Sequence, residues 1–254
     1  MSAMAAPAAL HLSLVVPVYN GADRLPSSLE QLRDFLRAQP YASELILVDD
    51  CSNAETRAIL EAFASTMGEV RLIRNDENRG KGNAVTRGMR AAVGNYRVFT
   101  DADLAYPASE VGKILTDLEA GADVAIACRV LAESRYLMSP TFFSYLYTRH
   151  VMSRAFNAVV RWTLIPHVLD TQAGLKGFTA HAAEIVFPRI TIPRFGFDVE
   201  ALFIAKKHNL SLTQTAVFFR YDEEPTTVRF AEDALRMLRD LVHIRRNDWR
   251  GRYA

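Results

Sequence analysis

The 254-residue chain has only two cysteines, Cys51 and Cys128, and their spacing matches no metal-binding pattern. That excludes a disulfide scaffold, makes a structural zinc site unexpected, and fits a reducing compartment. Charge of one sign is also lacking: 30 basic residues face 29 acidic ones, a net charge of +1. Bulk attraction to a polyanion is therefore absent, and no nucleic-acid partner is expected. No apolar run reaches the roughly 18 residues of a membrane-spanning helix. Met1 to Ala22 contains no Lys or Arg, so the charged region of a signal peptide is missing. Residues 1–11 are expected to form a disordered leader. With 12 Gly and 10 Pro the chain is neither collagen-like nor of disordered composition. It is long enough to bury a large core of its own.

Short apolar runs alternate with helical patterns through the first half. The expected strands are 12–18, 44–49, 70–74, 96–101 and 124–129. Between them Leu25–Ala38, Ala54–Met67, Asn83–Val93 and Ser109–Ala120 repeat apolar residues at three- and four-residue spacing. Continuous apolar strands alternating with helices predict an α/β fold with a mainly parallel sheet, covered on both faces. The second half is less regular. A helical, aromatic-rich stretch is expected from about Tyr136 to Leu164 and a short strand over 174–179. A helix near Val199–His208, a strand near Leu212–Phe219 and a terminal helix near Phe230–Arg246 follow. One domain over 12–229 with an amphipathic helix and tail over 230–254 accounts for this pattern.

Ligands of parallel α/β sheets bind outside the carboxyl ends of the strands. Polar residues cluster there: Pro17-Val18-Tyr19-Asn20, Asp49-Asp50-Cys51-Ser52, Asp101-Ala102-Asp103 and Arg129. Asp101 and Asp103 point the same way on an extended chain. Such a pair suits Mg²⁺ or Mn²⁺ shared with a diphosphate, since hard cations take oxygen ligands; a helix cap with a solvated Asp is the plain alternative. Asp49 and Asp50 either accept hydrogen bonds from a ribose or base, or belong to a turn that caps the next helix, with Ser52 as the cap. Asn78–Asn83 is a Gly-rich basic turn whose amides and Lys81 favour phosphate, without the spacing of a P-loop. Asp170 and Gln172 precede an apolar strand, where they either bind a sugar or form an ordinary strand-entry turn.

The set VVPVYN, LVDDCS, NRGKGNAVTRGM, TDADLAYP, ACR, DTQAGLKGF and FDVEAL resembles family 2 glycosyltransferases of the GT-A fold. Within that family the chain is most similar to the polyprenyl-phosphate branch, nearer its dolichyl-phosphate glucosyltransferases than its mannose synthases. The resemblance runs from about Leu12 to Tyr253. It implies that Pro17, Tyr19, Asp49, Asp50, Lys81, Asp101, Ala102, Asp103, Asp170, Gln172 and Arg220 serve the nucleotide sugar. It implies Asp101 and Asp103 as metal ligands, and Arg129, Arg149 and Ser153 as the seat of the acceptor phosphate. Two positions depart from the family: Gly21 stands where an acidic residue often occurs, and Ala105 where the mannose synthases carry Gln.

The implied reaction moves a hexose, with UDP-glucose the expected donor, to a polyprenyl or dolichyl phosphate with inversion. GDP-mannose is the alternative donor. The acceptor oxygen is already anionic, so a general base is hardly needed. A transferase extending another glycan would need one, and Asp198 is the candidate. A non-catalytic nucleotide-sugar binding module is the reading from outside the enzymes. A lipid acceptor implies a protein peripheral to the cytoplasmic membrane face. Aromatic and basic residues interleave in 136–164, and Leu235, Leu238, Leu241 and Val242 interleave with arginines in the terminal segment, which suits either interfacial helices or amphipathic helices packed on the domain.

Overall fold

In the computed structural model, residues 10–138, 154, 156–221 and 230–254 are described, with 138, 221 and 230–235 by backbone alone. The expected leader lies almost wholly outside these residues. Strand and helix alternate through β1 (Leu12–Val18), α1 (Leu25–Arg37), β2 (Ser43–Asp49), α2 (Ala54–Ser65), β3 (Val70–Arg74), α3 (Lys81–Ala91), β4 (Tyr96–Phe99), α4 (Glu110–Glu119) and β5 (Val124–Cys128). Then come β6 (Arg135–Met138), a helical run over 156–163 (α5), β7 (Lys176–Thr179), α6 (Ala180–Val186) and α7 (Phe197–Lys207). The last elements are β8 (Leu212–Ala216), β9 (Phe218–Tyr221) and α8 (Phe230–Trp249).

Seven strands form the main sheet in the order β3-β2-β1-β4-β7-β5-β8, parallel except for β7. Alternate side chains of each strand enter different cores, as the two-residue period requires. Val15, Ile46, Phe99 and Ile126 meet α3, α6, α7 and α8 on one face. Leu14, Leu47, Val98 and Ala127 meet α1 and α4 on the other. Leu25, Leu29, Leu32 and Leu36 form the buried stripe that holds α1 to the sheet. Leu241 and Ile244 of α8, with Tyr253 beyond it, belong to the same core as β1 and β4.

β1 pairs with β2 through Val18↔Asp49 but with β4 only through Val15↔Phe99. Pro17, which has no N–H to give, lies past the end of that second ladder. Strand order reverses between β1 and β4, and the two separate there, so their carboxyl ends open a crevice.

The fold corrects two expectations in the second half. Tyr136 lies in a strand, not a helix: β6 pairs in parallel with β9 as a separate two-stranded sheet, with Tyr136 opposite Phe219. Four residues have too little periodicity to separate helix from strand, and here a second short run, Phe218–Tyr221, supplies a pairing partner. The expected strand over 212–219 divides at Val217, with β8 joining the main sheet and β9 the small one. Most of the expected stretch 136–164 that carries Arg149 and Ser153 lies outside the described residues.

Candidate active site

The crevice is assembled from loops tied to one another at the strand ends. Asn20 N donates to Ser52 Oγ (2.9 Å) and Asn53 N to Asn20 Oδ1 (2.9 Å), which joins the ends of β1 and β2. Pro17 is half-buried there, while Tyr19 is 57% exposed and turns its ring to solvent. Asp49 and Asp50 are both buried. Asp49 accepts from Ser52 N (2.8 Å) and pairs with Arg74 (2.9 Å). Asp50 accepts from the backbone of Arg79 (3.0 Å) and Gly80 (2.7 Å) and from Asn75 Nδ2 (2.6 Å). It thereby anchors the turn before α3. Asn53, not Ser52, caps α2, accepting from Thr56 N.

That turn delivers Lys81 to the crevice. Its ammonium lies 2.5 Å from Asp101 Oδ1. Burial lowers the Lys81 pKa, but the carboxylates of Asp101, Asp198 and Asp103 outweigh it and hold the amine charged. Asp103 is exposed and accepts from Ala105 N (3.0 Å). Ala102 sits half-buried between the two carboxylates. The Ala105 carbonyl accepts from Arg220 N (2.7 Å), so the backbone of β9 places the exposed Arg220 beside the Asp101–Asp103 loop. Cys51 (φ 63°) and Leu104 (φ 49°) both adopt the left-handed region immediately after these acidic motifs. Strain of this kind concentrates at functional sites.

The far wall carries a further ion pair. Arg129 lays its fork on Asp170, with Nε–Oδ2 at 2.7 Å and Nη2–Oδ1 at 2.8 Å, and its backbone N adds a third bond. Burial opposes ionisation of Asp170, but the guanidinium prevails and holds the carboxyl below its ordinary range. Asp170 thus fixes where Arg129 points. Gln172 Nε2 approaches Met237 Sδ of α8 (3.8 Å). Gly174 packs so closely on Asp101 that any Cβ would overlap the carboxylate, which explains a glycine there.

Lys176 is not among the residues expected from sequence, yet it sits at the base of the site. It is fully buried and donates to Asp198 Oδ1 (2.5 Å) and Ala173 O (2.5 Å). Burial pushes the Asp198 carboxyl up and the Lys176 amine down. Its sequence signal is a lone cation inside the apolar run Leu175–Thr179. Asp198, the candidate base, is likewise buried, with this lysine on its carboxylate.

Among the described residues no group of three His, Cys, Asp or Glu side chains could hold a metal ion. Residues 13–166 match the family model described as Glycosyl transferase family 2.

The chain belongs to glycosyl transferase family 2. It is 30% identical over 246 residues to a dolichyl-phosphate beta-glucosyltransferase of Dictyostelium discoideum, covering 93% of this chain and 74% of that protein. A dolichyl-phosphate beta-glucosyltransferase of Homo sapiens is 32% identical over 245 residues, covering 92% and 74%. The structure of glucosyl-3-phosphoglycerate synthase from Mycobacterium tuberculosis with Mn²⁺, UDP-glucose and phosphoglyceric acid is similar at a TM-score of 0.66 and 18% identity, over 92% of this chain and 79% of that one. The fold of this family 2 glycosyltransferase is GT-A, as expected from the motifs. No helix among the described residues is long and apolar enough to cross a membrane.

Proposed function

We propose that this glycosyltransferase moves glucose from UDP-glucose to dolichyl phosphate or a similar polyprenyl phosphate. The observation that carries this reading is the similarity to dolichyl-phosphate beta-glucosyltransferases along nearly the whole chain. The acceptor's phosphate oxygen attacks the anomeric carbon, the bond to the diphosphate breaks, and the nucleoside diphosphate leaves from the opposite face. Bringing two anions together is the main task. Asp101 and Asp103 would hold Mg²⁺ or Mn²⁺, which supplies positive charge to the departing diphosphate. Lys81 and Arg220 add cations on that side. Arg129, oriented by Asp170, would seat the acceptor phosphate together with Arg149 and Ser153. The nucleotide would lie against Pro17, Tyr19 and the loop ordered by Asp49 and Asp50. Asp198 is held by Lys176, which suits the floor of the site better than a free base.

A membrane surface completes the reading. One face of α8 is buried in the core, while Val242 (70% exposed) and Trp249 (85% exposed) stand on the other with Leu238, flanked by Arg239, Arg246 and Arg250. Arg245 donates to the carbonyl of Thr163 at the end of α5, which carries Trp162, 89% exposed. Aromatic and aliphatic groups among arginines favour an anionic bilayer. The free thiols of Cys51 and Cys128 suit the cytoplasmic face.

A matrix of UDP-glucose, GDP-mannose and related donors against dolichyl phosphate, read by mass, tests the reaction. A glucosyl product formed from UDP-glucose is expected; preferential use of GDP-mannose moves the reading to mannosyl transfer. Co-sedimentation with phosphatidylserine vesicles free of polyprenol tests the surface. Loss of binding in Trp249→Ala and Trp162→Ala is expected.

A further inference from the structure

α7 carries two buried carboxylates on opposite sides. Asp198 faces the crevice floor, and Glu200, with no exposed surface, faces away from it. Glu200 Oε2 accepts from the backbone N–H groups of Thr191 (2.9 Å) and Ile192 (2.8 Å). Its Oε1 accepts from Thr191 Oγ1 (2.6 Å) and from the hydroxyl of Tyr253 (2.6 Å). Tyr253 is itself fully buried, and Asn247 of α8 donates to both its hydroxyl (3.2 Å) and Thr191 Oγ1 (3.0 Å). Burial and the neighbouring carboxylate hold the Tyr253 hydroxyl protonated, far above its ordinary range.

The segment fixed by Glu200 forms the wall behind the Gly80-Lys81-Gly82 turn. Pro193 O accepts from Asn83 N (2.9 Å) in the first turn of α3. A Cβ on Gly80 would lie 2.7 Å from Pro193 O, and one on Gly82 would lie 2.7 Å from Arg194 O and 2.8 Å from Ile192 O. The two backbones touch with no room for a side chain. Lys81 lies between these glycines, with its ammonium on Asp101.

We propose that Tyr253 and Glu200 are positioning residues for Lys81, so that the segment following α8 sets the affinity of the crevice for the diphosphate of the donor. The inference rests on the donor reading given above, but not on the identity of the base. Its reach is through backbone: hydroxyl to carboxylate, carboxylate to the 191–192 amides, and the 192–194 carbonyls to the lysine turn.

A double-mutant cycle on the full chain tests it. Binding of UDP and GDP to wild type is measured by calorimetry, and the tighter ligand is used throughout. Tyr253→Phe, which keeps the ring packed against Phe203, should weaken binding about threefold to tenfold, the range for loss of one hydrogen bond. In a Lys81→Met background the same substitution should change binding less than about twofold, because the group it positions is gone. His208→Ala removes a bond to the Tyr253 carbonyl without touching the hydroxyl and should leave affinity unchanged. Additive losses, or equal losses from Tyr253→Phe and His208→Ala, overturn the inference and leave the donor reading intact. Preference for GDP overturns the UDP reading alone, and binding of neither nucleotide overturns both.

Discussion

The two sides of the crevice hold their carboxylates by different means. At the end of β2, Asp49 and Asp50 accept backbone N–H groups from Ser52, Arg79 and Gly80, with the side chains of Arg74 and Asn75 added to them. At the ends of β4 and β5 and on α7, the main partners of Asp101, Asp170 and Asp198 are the side-chain cations Lys81, Arg129 and Lys176, with one backbone N–H, that of Arg129, on Asp170. A backbone amide cannot leave its acceptor without unfolding the turn. A lysine or arginine can exchange one anion for another. The β2 side is thus a frame tied mainly to backbone, and under the proposed function the opposite side is an electrostatic set whose members can regroup around an incoming diphosphate and phosphate. Lys81 and Asp101, the pair in which both side chains reach solvent, is the one best placed to regroup; Lys176 and Asp198, buried together, is the least.

The sharpest way to break this contrast is at the exchangeable side. Asp103→Asn should reduce glucosyl transfer by roughly 10²–10³-fold, the scale of losing a charge-stabilising group at a reaction centre, while its unfolding midpoint stays near wild type. Transfer assays with Mg²⁺, with Mn²⁺ and in excess chelator check this. Full activity in chelator removes the metal from the site.

Asp170→Asn should cost about 3 kcal/mol of stability, the low end for breaking a buried pair, because Arg129 keeps a quarter of its side chain in solvent. The pH dependence has a definite sign. The folded-state pKa of Asp170 is depressed, so its contribution is fully present above the unfolded value near 3.9 and is lost as pH falls through the folded value. Denaturant titrations of both proteins should show the full gap at pH 7 and a closing gap below about pH 4. A gap that persists in acid would show that the carboxylate's charge is not what matters.

On the frame side, Asp50→Asn should lower stability by about 1–3 kcal/mol, since an amide cannot accept from all of Asn75, Arg79 and Gly80. Nucleotide affinity should fall with it, because the turn that delivers Lys81 loosens. Unchanged stability with abolished nucleotide binding would instead make Asp50 a direct ligand contact.

How much of this is legible in the sequence follows the same division. Strands β1–β5 are readable because they are short apolar runs bounded by turn residues, and the acidic motifs at their ends are local. The antiparallel β7 and the break at Val217 are not, because strand direction and sheet membership are set by partners far along the chain. The motifs NRGKGN and DTQAG mark the site, but their pairings are tertiary. Lys176 meets Asp198 across 22 residues and Arg129 meets Asp170 across 41. No spacing rule connects such residues. A charged residue inside an apolar strand, as Lys176 is, carries the one usable hint, since a buried charge needs a partner.

The smallest expected effect sharpens the comparison most, because it asks whether the fork of Arg129 matters apart from its charge. Arg129 uses Nε and Nη2 on Asp170 and follows the last residue of β5. Lysine at this position would keep a positive charge but could not hold a carboxylate bidentately and a phosphate in fixed geometry at once. Arg129→Lys should therefore raise the KM for dolichyl phosphate about tenfold, the value of one charge-assisted hydrogen bond, with kcat and nucleotide affinity nearly constant. Arg149→Lys should behave alike if the two guanidiniums share the acceptor phosphate. Steady-state kinetics with the lipid varied at saturating donor, beside nucleotide calorimetry, separates the outcomes. A fall in nucleotide affinity with an unchanged lipid KM would transfer Arg129 to the donor side, and the exchangeable wall would then serve one substrate rather than two.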